Sequence, residues 1–465
     1  MNVVVPWKRR KMVNFFQNTP ADTFLKLSED KLLPVIREVA SRVPAYQRLL
    51  KDKNININQV KNKEDFKRLI PVSDKGIFSA NEVADLCRDG ALNKMKLVST
   101  SSGFSRQFSY GLSSARELNN LRFSLDSLLD LYFNVSKRKT FLINCLAMGV
   151  KVYTSLPLAE TSVRSDMVIA LIKKISSHFE QTIIIGNTYF IKKLIEEGLE
   201  SGIDWKSKIV NFIIGEDWFP EGLRSYFAKL LGIDFNQPEK GLIMSTMGIC
   251  ELGLTLFQES FETIRLRRMS QADNKLHSAL FGEGTDICPI LFHYHPYQIF
   301  LEEIDGGLVF TTLSKDNLIP FIRYASGDIG GIRNYNDLKD VLMKLNYHDC
   351  VPKWKLPLVW VIGRKGQYIE LNNIHVSPEQ VKSGIYSDFE VAEATTGYFR
   401  MSKQNERLRL EIQLREGKNA SDQLNGRFFQ AITKYVKTDF ELLLYPYKEF
   451  PYGMGLIYEQ KFKYI

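Results

Sequence analysis

The middle of the chain alternates between short apolar segments and longer segments with helical periodicity. The short segments have the length of buried strands, and the longer ones repeat apolar residues every three or four positions. The predicted strands are residues 140–146, 182–185, 210–214 and 241–245, and two of the predicted helices between them are residues 163–175 and 190–201. Strands that alternate with helices predict an α/β fold of mixed sheets covered by helices.

The flanking regions extend this pattern. Residues 22–51 carry Leu32, Ile36 and Val39 near helical spacing, so they are predicted to form one helix, and residues 114–132 another. Residues 289–362 are richer in strands, with Pro and Gly at the turns.

The character of the chain changes after Arg364. The remaining residues hold a strong strand at 407–413, one helix at 422–436 and an end rich in Tyr, Phe and Lys. The sequence therefore predicts a large N-terminal domain of residues 1–364 and a small, mobile α+β lid of residues 365–465.

Composition is that of an ordinary globular protein, with 44% apolar and 25% charged residues. The net charge of +9 comes from acidic and basic residues that are interleaved along the chain. A solvated surface is the favoured interpretation, and no nucleic-acid-binding signature accompanies the charge.

The five cysteines are scattered without paired spacing, which favours free thiols over disulfides or a zinc site. The basic run at residues 8–11 is not followed by an apolar core, so the N-terminus does not read as a signal peptide. Apolar runs are all shorter than a bilayer span requires. We therefore expect a cytoplasmic protein.

Residues 320–328 (PFIRYASGD) read as a strand that turns at Ser326 and Gly327 and presents Asp328 at the turn. An ionised carboxylate there suits a pair of vicinal hydroxyls, such as those of a ribose. An apolar strand at residues 356–362 then leads to Arg364, a residue suited to phosphate oxygens. A buried salt bridge beside a turn is the alternative interpretation.

These two segments belong to a set of motifs that follow one order. The set consists of residues 43–46 (VPAY), 70–75 (IPVSDK), 215–218 (GEDW) with Arg224, 322–328 (IRYASGD), 363–364 (GR) and 376–379 (VSPE). In this order they resemble the adenylate-forming superfamily of acyl-CoA ligases, adenylation domains and luciferases. The branch that they resemble is the phenylacetate-CoA ligase-like one, which includes capsule-biosynthesis CapK-like proteins.

The resemblance implies an enzyme that uses ATP and Mg²⁺ to activate a small carboxylic acid as an acyl-adenylate. It also implies transfer of the acyl group to a thiol, on CoA or an acyl carrier protein. Transfer to an amine, giving an amide, and a binding protein with this fold but no activity are the alternatives. The resemblance leaves a homodimer open and does not identify the acid.

The Ser-rich segment at residues 99–107 falls where the superfamily has its phosphate-binding loop. Ser101, Ser102 and Gly103 match that loop, whereas Arg106 and Gln107 stand where it has Gly and Lys. Hydroxyls and free backbone N–H groups can cradle phosphates, and a Ser-rich surface turn is the alternative. The resemblance also places Glu216, in the GEDW segment, at the nucleotide.

Residues 247–251 (MGICE) fall where the superfamily reads Tyr-Gly-x-Thr-Glu. The resemblance implies that Met247 replaces the ring that packs on adenine, that Gly248 is kept, and that Cys250 replaces a hydroxyl near the phosphate. It implies that Glu251 holds Mg²⁺, for which a carboxylate is a suitable ligand. The alternative is a buried loop cysteine beside a surface glutamate.

Two further sites depend on the resemblance. The superfamily's hinge aspartate corresponds to Gln367 here, with Gly366 beside it as a source of flexibility. A C-terminal lysine, which bridges the substrate carboxylate and the α-phosphate in relatives, corresponds to Lys461 in preference to Lys463. The resemblance thus assigns catalysis to Lys461, Glu251 and Arg364, and the ribose to Asp328. His293 and His295 form no metal site by spacing and are expected to pack internally.

Overall fold

The computed structural model describes residues 4–100, 109–284, 287–453 and 457–465. Its helices are α1 Val4–Asn18, α2 Ala21–Arg42, α3 Pro44–Asp52, α4 Lys63–Leu69, α5 Gly76–Ser79, α6 Val83–Leu86, α7 Ala115–Phe133, α8 Ser165–Lys174, α9 Thr188–Glu200, α10 Glu221–Leu231, α11 Phe261–Ser270, α12 Asn274–Phe281, α13 Tyr335–Lys344, α14 Pro378–Ile385, α15 Phe389–Ala394 and α16 Asp422–Thr433. No helix of this described part is both long and apolar enough to cross a bilayer.

The strands of the described residues are β1 Met95–Thr100, β2 Tyr110–Ser114, β3 Thr140–Cys145, β4 Leu158–Glu160, β5 Gln181–Asn187, β6 Val210–Gly215, β7 Ile243–Ile249, β8 Gly253–Gln258, β9 Ile290–Tyr294, β10 Ile299–Ile304, β11 Gly307–Thr312, β12 Tyr324–Arg333, β13 Leu358–Arg364, β14 Ile369–Leu371, β15 Ile374–Val376, β16 Thr395–Gln404, β17 Arg407–Leu414 and β18 Phe440–Tyr445.

One large sheet organises the N-terminal part. Within the described residues it has eleven strands in the order β10-β11-β12-β13-β9-β8-β7-β6-β5-β3-β4. Strands β4, β3, β5, β6 and β7 run parallel to one another. The other half of the sheet, which runs from β7 through β8, β9, β13, β12 and β11 to β10, is antiparallel. The predicted mixed α/β fold with helices over the sheet is therefore confirmed.

The parallel half is buried on both faces, as such sheets require. Every residue of β3, β5 and β6 is buried. The crossover helices α8 and α9 pack over them, and the largest core cluster includes Phe190 and Leu194 of α9. The helix predicted at residues 114–132 is confirmed as α7, which begins in a capping box between Ser114 and Glu117.

The single helix predicted over residues 22–51 is wrong. The chain forms α2 and α3 instead, and Val43 between them is extended, with φ −114° and ψ 109°. The cause is Pro44, because a proline ring clashes with a helical conformation of the residue before it. Pro44 itself takes the first position of α3, where its missing N–H is no loss.

The C-terminal part contains a separate three-stranded sheet, β16-β17-β18, with α14, α15 and α16 against it. The predicted strand at 407–413 and helix at 422–436 correspond to β17 and α16. This part packs closely on the N-terminal part. A Cβ on Gly222 of α10 would lie only 2.0 Å from the carbonyl oxygen of Tyr386, so glycine permits the contact.

Candidate active site

A cavity of about 1250 Å³ lies between α7, the strands β6 to β8, the end of β13 and the C-terminal residues. Its polar end gathers Glu216, Glu251, Arg364 and Lys461, which come from four distant parts of the sequence. Away from these groups, apolar side chains of α7 and the facing strands line the wall. A concave site with an apolar body and a few convergent polar groups is typical of a small-molecule site.

Asp328 and Arg364 face each other across the antiparallel strands β12 and β13. The Arg364 Nε donates a hydrogen bond to Asp328 Oδ1 at 2.9 Å. Asp328 is 3% exposed, and its Oδ2 has no hydrogen-bond partner among the described residues. One oxygen of this buried carboxylate therefore lacks a partner, and Arg364, but not Asp328 itself, is among the residues that line the cavity.

The predicted turn at Ser326 and Gly327 is wrong, because both residues lie inside β12. The pairing with β11 is nevertheless irregular here, since Val309 pairs with Ala325 and Gly307 with Ile329. Residues 326–328 thus bulge from the ladder, and Gly327 adopts a φ of +84° that favours glycine. The bulge changes the direction of the strand at the residue before Asp328.

Glu251 lies in the connection between β7 and β8 and is 8% exposed. Its Oε1 accepts a hydrogen bond from the Tyr324 hydroxyl at 2.6 Å, and its Oε2 accepts one from Ser109 Oγ at 3.3 Å. Gly111 lets β2 approach this connection, since a Cβ there would lie 2.3 Å from the Cys250 carbonyl oxygen. These contacts fix the carboxylate at the cavity wall.

Cys250 lines the same cavity, and its Sγ lies 2.6 Å from Glu251 Oε2. Burial and the neighbouring Glu251 carboxylate raise the pKa of the Cys250 thiol to about 12. The group is therefore a protonated thiol at neutral pH, which disfavours a covalent role and suits a hydrogen-bond donor.

The C-terminal residues deliver Lys461 to the polar end. The Tyr464 hydroxyl donates to Asp217 Oδ2 at 2.5 Å, and the Phe462 ring stacks on Tyr189 with centroids 4.9 Å apart. On the N-terminal side of Lys461, Glu459 Oε1 accepts a hydrogen bond from the Ser162 hydroxyl at 2.7 Å. Lys461 lies between these anchored residues and is among the residues that line the cavity.

Lys461 as a whole is exposed to solvent, while its ammonium is largely surrounded by the groups at the polar end of the cavity. Burial and the Arg364 guanidinium lower the pKa of Lys461, and the carboxylates of Asp217, Glu216 and Asp328 oppose that shift only in part. A cation held close to Arg364 marks a place where negative charge would be stabilised.

Asp217 connects the N-terminal part to the C-terminal part. Its Oδ1 accepts from Lys382 Nζ of α14 at 2.7 Å, and Lys382 also lies 4.0 Å from the centre of the Tyr464 ring. Burial favours a raised pKa for Asp217, but Lys382, Tyr464 and Lys461 outweigh it and hold the pKa below its ordinary value. We call Asp217, Lys382 and Tyr464 the Asp217 latch.

Glu216 precedes the latch and has a left-handed backbone, with φ +72°. Such a conformation is uncommon for a residue other than glycine and is typical of functional sites. The residue as a whole is exposed, but desolvation of its carboxyl by the surrounding protein raises the pKa of Glu216, and the Lys461 ammonium opposes this. The side chain lines the cavity, where the sequence prediction placed the nucleotide.

The remaining predicted residues divide into three groups. Gly248 lines the cavity, but Met247 does not, since it packs against the core on the other face of β7. Ser101, Ser102 and Gly103 lie outside the described residues. Gly366 and Gln367 form the turn after β13, where Gly366 has a φ of +76°.

Sequence reasoning missed several residues of this site. Lys75, which the sequence gave only as part of a motif, lines the cavity and helps to determine the pKa of Cys250. Of the three residues of the Asp217 latch, only Asp217 lies in a motif that the sequence analysis identified, the GEDW segment. No sequence pattern indicated a role for Lys382 or Tyr464. The latter two are distant in sequence from Asp217 and meet it only in the folded protein.

His293 and His295 are fully buried in β9 and just after it. Burial lowers their pKa values to about 3 and about 4, so both rings are neutral at physiological pH. The described residues contain no cluster of three or more potential metal-ligating side chains. The five cysteines are free thiols.

Comparison of the sequence with protein-family models and with curated proteins finds no match. Among solved structures, the chain resembles 2-hydroxyisobutyryl-CoA ligase in the postadenylation state, in complex with R3-HIB-AMP. The TM-score is 0.69 at 13% identity, over 93% of this chain and 88% of that one. Against the same ligase in the thioesterification state, with 2-HIB-AMP and CoA, the TM-score is 0.55 at 13% identity, over the same shares.

Proposed function

We propose that this chain, which has the fold of the adenylate-forming ligases, activates a carboxylic acid with ATP and releases pyrophosphate. The acyl group of the resulting adenylate then passes to a thiol, on CoA or a carrier protein. The observation that carries this proposal is the convergence of Lys461, Glu251 and Arg364, which is paired with Asp328, at one end of a large cavity.

Each group at the polar end suits one part of the reaction. The unpaired Oδ2 of Asp328 accepts a ribose hydroxyl. Arg364, held by Asp328, presents its remaining N–H groups to phosphate oxygens. The Lys461 ammonium lies between the substrate carboxylate and the α-phosphate, where charge develops in an in-line attack. Catalysis is then mainly positioning and charge stabilisation.

The donor set also fits Mg²⁺. This ion is usually bound by one or two carboxylates together with substrate phosphates, and Glu251 supplies one hard oxygen donor at the cavity wall. When bound, the ion neutralises phosphate charge. Tyr324 and Ser109 hold the Glu251 carboxylate in place for this role.

We place the two functional parts at residues 1–364 and 365–465, with the hinge at Gly366 and Gln367. The better superposition on the postadenylation state supports an arrangement of these parts like that of the first half-reaction. The Asp217 latch stabilises this arrangement, and its release frees residues 365–465 to turn and admit the acceptor. The phenylacetate-CoA ligase-like branch stays a prediction.

An amine acceptor is the second candidate. The resemblance implies that the segment between the hinge and α14 lines the path of the thiol, and this segment departs from the superfamily pattern at Gln367 and at Asn373, which stands in place of a glycine. Asn372 and Asn373 both have positive φ, 47° and 66°, in the hairpin turn between β14 and β15. Asparagine tolerates this conformation, so the turn itself is preserved. Trapping the acyl product with CoA or with amines distinguishes the two candidates.

ATP–pyrophosphate exchange with Mg²⁺, measured over a panel of aliphatic, aryl and amino acids, tests adenylation directly. We expect exchange with one class of acid, and we expect Asp328→Asn to raise the KM for ATP about 10- to 100-fold, the usual range for a lost charge-assisted hydrogen bond. Asp340→Asn, at an exposed site on α13, is the matched control. An unchanged KM in Asp328→Asn would exclude the ribose role.

The rate of exchange is also expected to decline as the pH rises, with a midpoint below 10.5, the ordinary pKa of lysine. The reason is that the ammonium form of Lys461 acts, and its lowered pKa means that the charge is lost earlier as pH rises. In Lys461→Arg the charge persists at all working pH values, so this decline disappears even if the rate is lower. The same decline in both proteins would assign it to another group.

A further inference from the structure

The apolar wall of the cavity extends far from the polar end. On α7 it is formed by Leu121, Leu125, Leu128 and Leu129, which share one face of the helix. The facing wall is formed by Ile185 of β5, Ile213 of β6 and Met244 of β7. At about 1250 Å³, the cavity exceeds the range of roughly 300–1,000 Å³ that is usual for a single ligand. It therefore has room for a nucleotide and an extended acyl group.

One polar side chain interrupts this apolar wall. Along β8, Leu254, Leu256 and Gln258 share one face of the strand and are among the residues that line the cavity. Gln258 is 5% exposed, yet neither its amide nitrogen nor its amide oxygen has a hydrogen-bond partner in the described part of the chain. A buried amide without hydrogen-bond partners is unfavourable, so a ligand that satisfies it gains affinity.

A second polar group without a partner lies on the α7 side of the cavity. The Tyr132 hydroxyl, near the end of α7, is buried and makes no hydrogen bond within the described residues. Gln258 pairs with His293 across β8 and β9, and the His293 ring lies 5.9 Å from that of Trp354. The Trp354 ring in turn lies 4.7 Å from the Tyr132 ring. These contacts connect the two unpaired groups, which lie on facing walls at one region of the cavity.

The register of the sheet gives the distance of this region from the reacting end. Gln258 pairs with Thr246 of β7, and both line the cavity. Thr246 precedes Cys250 by four residues, which is about 13 Å along an extended chain. Cys250 and Glu251 mark the polar end. An extended chain of roughly ten carbon–carbon bonds covers this distance.

We propose that the acid is an extended apolar molecule that carries a neutral hydrogen-bonding group, such as a hydroxyl, about 13 Å from its carboxylate. The inference rests on the proposed function for the place of the carboxylate. Gln258 offers both a donor and an acceptor, and Tyr132 can act as either, which matches a hydroxyl. The two side chains that would hold the distal group, Gln258 and Tyr132, are both uncharged, which favours a neutral group there.

Decanoic acid and its ω-hydroxy derivative are suitable probes, because they differ only in the distal group. We expect the intact protein to favour the hydroxy acid about tenfold or more, both in kcat/KM for exchange and in affinity by calorimetry. In Gln258→Leu this ratio is expected to fall to one or below. The ratio within one variant is insensitive to a partial loss of folded protein. Tyr132→Phe provides a second test, and Gln271→Leu, at an exposed position, is the matched control.

The two measurements separate failure of this inference from failure of the proposed function. Equal exchange and equal binding for the two acids, in the intact protein and in Gln258→Leu, would overturn the inference and leave adenylation established. Binding that favours the hydroxy acid and depends on Gln258, with no exchange for any acid, would support the acid site and overturn adenylation. A ratio that Gln271→Leu changes as much as Gln258→Leu would also overturn the inference.

Discussion

Replacement of Lys461 by methionine is expected to lower the rate of ATP–pyrophosphate exchange about 100- to 1000-fold, the usual loss when one group that stabilises developing charge is removed. Methionine keeps the length and apolar stem of the side chain but removes the ammonium. The effect is expected in kcat more than in the KM for ATP, because the ammonium stabilises the transition state more than bound ATP.

Lys463 provides the matched control for this prediction. It lies two residues away and is exposed, and the cavity-lining residues do not include it. Its backbone carbonyl accepts a hydrogen bond from Arg400 Nη1 at 2.6 Å. Lys463→Met should therefore retain exchange. Equal losses in both variants would indicate that the C-terminal residues act as a general structural element and not through one ammonium group.

A preformed acyl-adenylate refines this test. If Lys461 serves only the first half-reaction, Lys461→Met should still transfer the acyl group from a synthetic adenylate to the acceptor. Loss of that step as well would mean that the variant disturbs the cavity itself, because transfer needs the acyl site but not the α-phosphate bridge.

The choice between Lys461 and Lys463 also shows where sequence reasoning reaches its limit. The sequence favours Lys461 only through a resemblance that lacks the residues usually found before the lysine. The structure adds the anchors on either side, Glu459 with Ser162 and Tyr464 with Asp217, which lie far apart in the sequence. Such pairs depend on the packing of two parts of the chain, which local patterns do not record.

The fold was more accessible to prediction than the site. The parallel strands β3, β5 and β6 are continuous apolar runs because both faces of that half of the sheet are covered, and this gives a clear signal. The bulge before Asp328 gave a misleading signal, because Ser-Gly-Asp is typical of a turn as well as of a bulge. Only the partner strand, β11, distinguishes the two.

Arg224 is expected to be the most important buried charge for stability. It is fully buried, and its Nη2 donates to both carboxylate oxygens of Glu259 at 2.8 Å, while its Nε donates to Glu221 at 3.0 Å. Its Nη1 also bonds the carbonyl oxygen of Ile243, at the start of β7. Arg224→Met leaves two buried carboxylates with fewer partners, so we expect the free energy of unfolding to fall by about 3–5 kcal/mol.

Urea denaturation measures this change through the midpoint and slope of the transition. The double variant Arg224→Met/Glu259→Gln should recover part of the lost free energy, because it removes a carboxylate that the single variant leaves uncompensated. Arg164→Met, which breaks an exposed ion pair with Asp166, is the control and should change the midpoint little. Arg224 fixes the start of β7, the strand that leads to Glu251. A small loss of unfolding free energy in Arg224→Met would therefore mean that Arg267 and the backbone alone hold this cluster of charges. They would then also hold the cavity wall that β7 forms.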